Sequence, residues 1–308
     1  MVESGEVRGV VLSGTGGAWT VRAADGVTRQ VSMRGRLKQE GGDKLTVGDD
    51  VRIEPEARGD SWVIADIYPR RSRLARRAPS GARGERVVVA NLDQVIVVFA
   101  FATPEPHPRM LDRFLVIAAA NDIDARIVLN KFDLADTAPA WLDDYRAAGY
   151  PIHLTSAREG TGLEELAAAL HERVSALSGP SGVGKSSLMN AIYPGLNLRV
   201  GAISESVNKG RHTTVGAAMH PLPDGGFVAD TPGLREIGVW NLDAGELDAC
   251  FLEFRPFIGE CRFGDCRHVQ EPGCAVRAAV ADRLISEARY ESYRKLLDEL
   301  EAAAKQAW

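Results

Sequence analysis

Gly179-Pro180-Ser181-Gly182-Val183-Gly184-Lys185-Ser186-Ser187 matches G-x-x-x-x-G-K-[ST], a loop that wraps nucleotide phosphates between a strand and a helix. The glycines let consecutive N–H groups turn inward toward a phosphate, Lys185 adds a mobile positive charge, and Ser186 can ligate a magnesium ion. The flanks agree with this reading. Val174-Ser175-Ala176-Leu177 suits a short buried strand, and Ser187-Leu188-Met189-Asn190-Ala191-Ile192 continues as a helix whose positive end faces the phosphates. A plain Gly/Ser-rich surface loop would need neither flank.

On both sides of this loop the chain alternates near-continuous apolar strands with helices, the mark of a mainly parallel sheet covered on both faces. Val87-Val88-Val89-Ala90 and Gln94-Val95-Ile96-Val97-Val98-Phe99-Ala100-Phe101 read as strands, followed by a helix over 108–121. Arg126-Ile127-Val128-Leu129 is a strand ending in Asn130-Lys131-Phe132-Asp133. A helix near 140–148, a strand at 152–155 and a helix near 162–172 then lead into the phosphate loop. Short strands at 217–220 and 226–229 follow, the second delivering Asp230-Thr231-Pro232-Gly233.

These motifs name the nucleotide. A carboxylate at Asp133 can accept two hydrogen bonds from the N1–H and amine of guanine, a donor pair adenine lacks, so N-K-x-D selects GTP. Asn130 serves the purine N7 and the loop backbone, the Lys131 stem lies over the ring, Phe132 completes the motif, and Ser156-Ala157 adds a backbone contact. Asp230 acts on magnesium through water, and the Gly233 N–H serves the γ-phosphate. Between them, Asn208-Lys209-Gly210-Arg211-His212-Thr213-Thr214 has the polarity of a switch, with Thr213 or Thr214 completing the magnesium shell. Leu234 stands where many GTPases place a water-orienting glutamine, so intrinsic hydrolysis should be slow and His212 is the candidate catalytic residue, with a structural or RNA-contacting histidine as the alternative. N-K-x-D precedes the phosphate loop here, whereas most GTPases have the reverse order, so the motifs describe a circular permutation.

The chain has 308 residues, too many for one typical domain, and its 45% hydrophobic and 26% charged content is that of a globular protein. Residues 1–68 read as five short strands with Gly-rich turns, a small β-barrel of OB type, with an SH3-like barrel as the alternative. Residues 69–86 form a basic linker with seven arginines and one acid, suited to RNA phosphates, and Arg34, Arg36 and Lys38 offer a second basic face. The net charge of −5 argues against indiscriminate nucleic-acid coating. Met1-Val2-Glu3-Ser4-Gly5-Glu6 lacks a signal-peptide pattern and no stretch reaches about 18 apolar residues, so a soluble cytoplasmic protein is expected, without a membrane partner.

Residues 87–240 make the permuted GTPase domain and 241–308 a helical zinc-binding domain. There Cys261, Cys266, His268 and Cys274 give C-x4-C-x-H-x5-C, a full tetrahedral donor set for one structural Zn²⁺ with no open position for a reacting water. Cys250 reads as a buried small hydrophobe, and the final helix packs through Tyr290, Tyr293, Leu296, Leu297 and Leu300.

In this order, small barrel, permuted GTPase motifs and zinc cluster, the chain resembles the bacterial small-subunit-dependent GTPase family known as RsgA or YjeQ. The carriers are 179–187, the early Asn130-Lys131-Phe132-Asp133, Gly210-Arg211-His212-Thr213-Thr214 and the Cys/His spacing. The resemblance implies a monomer that binds the 30S subunit and its 16S rRNA late in maturation, cycles between GTP and GDP with Mg²⁺, is stimulated by the subunit and is assisted by His212. Pro180 departs from the glutamine expected in many members and removes one N–H from the loop. The alternatives are a GTP-sensing RNA-binding module with little hydrolysis and a kinase-like P-loop enzyme, the latter leaving Asp133 without a role.

Overall fold

The computed structural model describes residues 6–15, 17–35, 44–56, 61–77, 85–198, 217–230 and 242–306. Arg36, Lys38, His212, Thr213, Thr214, Gly233 and Leu234 lie outside these residues.

Alternation at a period of two builds the first unit. Strands β1 (Val7–Thr15), β2 (Ala18–Ala23), β3 (Thr28–Met33), β4 (Asp50–Pro55) and β5 (Trp62–Ile67) close into a barrel of order β1-β2-β3-β5-β4. Val11, Val21, Val31, Val51, Ile53 and Ile64 point inward and are buried. Arg8, Arg29 and Arg34 form ion pairs on the outside, with Asp50, Asp25 and Glu54. Register shifts at Val11/Ser13 and Arg52/Ile53 bend the strands enough to close the barrel. The parallel pairing of β3 with β5 gives the OB connectivity, which resolves the alternative left by the sequence.

The arginine-rich segment differs from the linker expected for it. Strand β6 (Arg73–Arg77) pairs antiparallel with β7 (Glu85–Ala90), forming a hairpin. Arg70 Nε lies 2.7 Å from Oδ1 of the fully buried Asp49, and Arg71 Nη1 lies 2.8 Å from Asp93 Oδ1. These two guanidiniums are structural ties. Beneath them Leu74 and Val89, both fully buried, join Leu12 and Val47 of the barrel to Leu92 and Val95 in one apolar cluster. Burial of alternate apolar residues among the arginines therefore turns the segment into a packed junction, and the barrel is seated on the next unit rather than tethered to it.

That unit is a six-stranded sheet, order β10-β9-β8-β11-β13-β12, made of β8 (Gln94–Ala100), β9 (Asp124–Asn130), β10 (Ile152–Leu154), β11 (Val174–Ser178), β12 (Ala218–Pro221) and β13 (Phe227–Asp230). All neighbours are parallel except β12 on β13. Every residue of β8 is buried because its two faces meet different layers. Val95, Val97 and Phe99 pack with Leu111, Phe114 and Leu115 of helix α1 (Pro108–Ala119). Ile96, Val98 and Ala100 pack with Leu166 and Leu170 of α3 (Leu163–Leu170) and Leu188 and Met189 of α4 (Lys185–Ile192). The short α2 (Leu142–Ala147) precedes β10.

The last unit consists of short 3-10 turns, Ala244–Glu246, Asp248–Cys250 and Leu252–Phe257, then α5 (Ala275–Ala281) and α6 (Glu287–Gln306). Tyr293, Leu296, Leu297 and Leu300 are buried as the helical spacing predicts, and Tyr290 packs partly against the same core. Cys250 is buried, and that burial pushes its thiol up to about 12. Arg289, with a side chain 3% exposed, bonds Asp112 of α1 and Glu253, and its guanidinium lies 4.8 Å from the ring centres of Tyr145 and Phe251. The ion pair from α6 to α1 fastens the C-terminal unit to the sheet. Among the described residues no helix is long and apolar enough to cross a membrane.

Candidate nucleotide site and metal centre

In a parallel sheet the carboxyl ends of the strands form the crevice for ligands, and the sequence motifs lie there. The phosphate loop joins β11 to α4. Gly179 has φ 124°, and a Cβ there would come 2.0 Å from the Val98 carbonyl oxygen, so only glycine lets the loop leave the sheet. The α4 N-cap, Gly184, has no side chain to cap the helix, leaving the first-turn N–H groups to an anion. Lys185 Nζ curls over the loop, donating to the Gly179 and Pro180 carbonyls at 2.9 and 2.7 Å. Ser186 and Ser187 are half-buried in the first turn of the helix.

Asn130, at the end of β9, is 1% exposed and lies at the centre of three loops. Its Nδ2 donates to the Val183 carbonyl of the phosphate loop at 2.9 Å. Its Oδ1 accepts from the Ala157 N–H at 3.2 Å and from Thr155 Oγ1 at 3.3 Å. The close approach is visible from the other side too, since a Cβ on Gly184 would fall 2.5 Å from Asn130 Nδ2. Ser156 Oγ donates to Asp133 Oδ1 at 2.7 Å and orients that carboxylate. The structure thus brings Asn130, Asp133, Ser156, Ala157 and the phosphate loop into one cluster, although up to 53 residues separate them in sequence.

Asp230 closes β13 beside β11, in register with Leu177 two residues before Gly179, so it reaches the same crevice. The loop after β8 also contributes. Lys131 Nζ donates to the Thr103 carbonyl, and Phe132 packs on Phe101 with ring centres 5.1 Å apart. Nothing in the sequence motifs points to this loop, to Thr155 or to the Val98 carbonyl. Backbone acceptors leave no residue-type signal, and only the aromatic pair Phe101 and Phe132 hinted at a contact.

The four predicted metal ligands converge, with their ligand atoms all within 4.8 Å of one another. Cys261 Sγ lies 3.9 Å from Cys274 Sγ and 3.6 Å from His268 Nδ1, and His268 Nδ1 lies 3.3 Å from Cys274 Sγ. Zinc bonds of about 2.3 Å to sulfur and 2.0–2.1 Å to nitrogen give tetrahedral edges of about 3.8 and 3.6 Å, so the donor set fits. His268 Nε2 lies 3.1 Å from Asp248 Oδ2, which reserves Nδ1 for the metal and fixes the ring. The Ala275 and Arg277 N–H groups donate to the Cys261 and Cys274 sulfurs, favouring thiolates. Tyr290 and Tyr293 of α6 donate to the His268 and Arg267 carbonyls, locking the site onto the last helix.

Comparison with known proteins adds an independent finding. A family model described as RsgA GTPase matches residues 67–240. The chain is 61% identical over 297 residues to the small ribosomal subunit biogenesis GTPase RsgA of Gemmatimonas aurantiaca, covering 95% of this chain and 97% of the relative. It is 44% identical over 295 residues to the protein of that name from Moorella thermoacetica, covering 96% and 97%. Among solved structures it resembles YjeQ from Thermotoga maritima, with TM-score 0.79, 37% identity and coverage of 96% and 98%. It also resembles YloQ, described as a circularly permuted GTPase, with TM-score 0.78, 29% identity and 96% coverage of each chain.

Proposed function

The chain belongs to the RsgA GTPase family, and from that premise we propose that it hydrolyses GTP to GDP and phosphate in the biogenesis of the small ribosomal subunit. The observation that carries the nucleotide reading is the Asn130 knot, which ties the guanine-reading loop, the Ser156-Ala157 loop and the phosphate loop together. Such a tie holds the guanine-reading and phosphate loops at a fixed spacing, as one ligand that spans both requires.

Asp133, held by Ser156, accepts the two guanine donors, while Lys131 and Phe132, braced by Thr103 and Phe101, shape the base slot. The Gly179–Ser187 backbone and the open end of α4 bind the β-phosphate, and Lys185 exchanges its carbonyl partners for phosphate oxygens. Ser186, one of Thr213 and Thr214, and Asp230 would hold Mg²⁺, which when bound would supply positive charge against the phosphates. Gly233 donates its N–H to the γ-phosphate. His212 orients or accepts a proton from the attacking water, a task Leu234 cannot perform, so turnover stays slow until a partner orders the switch.

Cys261, Cys266, His268 and Cys274 would hold one structural Zn²⁺, which when bound would tie the C-terminal unit together. We assign residues 1–68 to the OB barrel, 87–240 to the permuted GTPase and 241–308 to the zinc-binding domain, with 69–86 as the basic junction between the first two. The partner is the 30S subunit, met through 16S rRNA by the barrel, the arginine-rich segment 69–86 and the zinc domain of a cytoplasmic monomer. GTP turnover, with ATP as control, measured alone and with purified 30S, 50S and 70S particles at fixed salt, tests this reading. Stimulation by 30S alone is expected. Equal slow turnover with every particle would remove the ribosomal partner, and absence of turnover with saturating 30S would leave a GTP sensor.

A further inference from the structure

At the opposite edge of the sheet from the phosphate loop, the N-terminal ends of the central strands border a cavity of about 390 Å³. Gln94 and Asp124 begin β8 and β9 there, and Arg173 immediately precedes β11. Leu252 and Arg255 of the C-terminal unit close the other side, so the cavity lies at the junction of two units. None of the nucleotide or zinc residues lines it.

Arg126, Arg173 and Arg255 all line this cavity, and none of them forms an ion pair among the described residues. Two of the guanidiniums are oriented from behind. Arg126 Nε donates at 2.7 Å to Gln94 Oε1, and Gln94 is fully buried with its amide donating to the Ala169 carbonyl and Ser175 Oγ. Arg255 Nε donates at 2.9 Å to the Ala249 carbonyl. Each bond uses the Nε–H and leaves the terminal N–H groups of a planar fork without a partner among the described residues. Burial, and after it the positive charge of Arg173, disfavour the charged form of Arg126, and the Asp124 carboxylate offsets this only in part. Asp122 and Asp124 also line the cavity, exposed like Arg173 and Arg255; neither forms an ion pair with the arginines among the described residues, and Asp124 attracts Arg126 only through space. A buried glutamine with three hydrogen bonds thus fixes Arg126 beside the positive charge of Arg173, an arrangement that an anion bound between them would stabilise.

We propose that this cavity is a second ligand site that binds a small phosphorylated anion, held by Arg126, Arg173 and Arg255 and bridging the GTPase sheet to the C-terminal unit. The volume lies within the range of small-molecule pockets, about 300–1,000 Å³, and forked guanidiniums suit phosphate oxygens. The ligand neutralises the repulsion across the junction and thereby strengthens the seat of the C-terminal unit.

The test is calorimetric titration of pyrophosphate into the full chain already saturated with GDP, at fixed ionic strength and without added magnesium. GDP binding is measured first, and its failure would count against the guanine reading, not against this site. Saturable binding of one pyrophosphate per GDP-loaded chain is expected, weakened about tenfold or more by Arg173→Gln and by Arg126→Gln, with GDP affinity unchanged. Arg173 is exposed and makes no side-chain bond, so its variant keeps the fold even where Arg126→Gln disturbs Gln94. Binding that vanishes once GDP is loaded, or that is equal in wild type and Arg173→Gln, overturns the proposal.

Discussion

Replacing Asn130 with alanine removes the side chain on which three loops depend. The variant loses the donor to Val183 O and the acceptor for the Ala157 N–H and Thr155 Oγ1, in a site where Asn130 is 1% and Thr155 0% exposed. Each buried group left without a partner costs about 1–3 kcal/mol, and since Ala157 is only half-buried, two orphaned backbone groups at about 1.5 kcal/mol apiece cost about 3 kcal/mol together. That cost has two outlets. If the loops stay in place, it appears as lost unfolding free energy; if they release, it appears as weaker nucleotide binding, up to about 150-fold for 3 kcal/mol. Denaturant unfolding of the free chain and GDP titration by calorimetry, done on the same preparation, measure both, and their sum should approach 3 kcal/mol. Asn130→Asp should be worse than alanine because it sets a carboxylate oxygen against the Val183 carbonyl. Changes below about 0.5 kcal/mol in both measurements would refute the reasoning, because that is the ordinary scatter of surface substitutions.

Three further outcomes follow from the same geometry. Asp133→Asn keeps an oxygen to accept the Ser156 hydroxyl and turns an amide donor toward the base, so the variant should fold, lose GTP affinity and gain affinity for xanthosine triphosphate; unchanged base preference in competition binding would count against Asp133 as the base reader. Elemental analysis should find one zinc per chain, and chelation or Cys274→Ser should expose the C-terminal unit to protease while leaving GDP affinity nearly unchanged; a metal-free protein of undiminished protease resistance would remove the structural zinc. Arg289→Met leaves Asp112 and Glu253 buried without their cation and should cost about 3–5 kcal/mol in unfolding free energy. The triple variant that also carries Asp112→Asn and Glu253→Gln should recover much of that loss, and no recovery would mean that packing rather than charge sets the cost.

Most of the chemistry was legible in the sequence because it resides in side chains at short, fixed spacings. The phosphate loop, Asn130 to Asp133, and Cys261 to Cys274 are each contained within a few turns of chain, so the residue types alone state what they can bind. Apolar runs such as 94–100 announced a sheet covered on both faces, and the period-two alternation in the first 68 residues announced a barrel. The pairing of β3 with β5 was not legible, because strand partners are chosen by closure of the barrel and not by any strand alone.

The amino-acid order by itself determined which chemistries the chain carries: guanine reading, phosphate binding and a four-donor metal site, in permuted order. Tertiary structure decided how they are joined. It turned an arginine-rich run into a packed hairpin junction, because burial of Leu74 and Val89, the β6–β7 ladder and the ties of Arg70 to Asp49 and Arg71 to Asp93 together offset the cost of ordering the segment. It made Asn130 the knot between loops 53 residues apart, and it placed Arg289 against Asp112 across 177 residues. It also recruited carbonyls of Val98 and Thr103 that no residue type advertises. Backbone groups and long-range partners acquire meaning only when the core brings them together, since the pairing energy depends on distance and desolvation, neither of which exists along an unfolded chain.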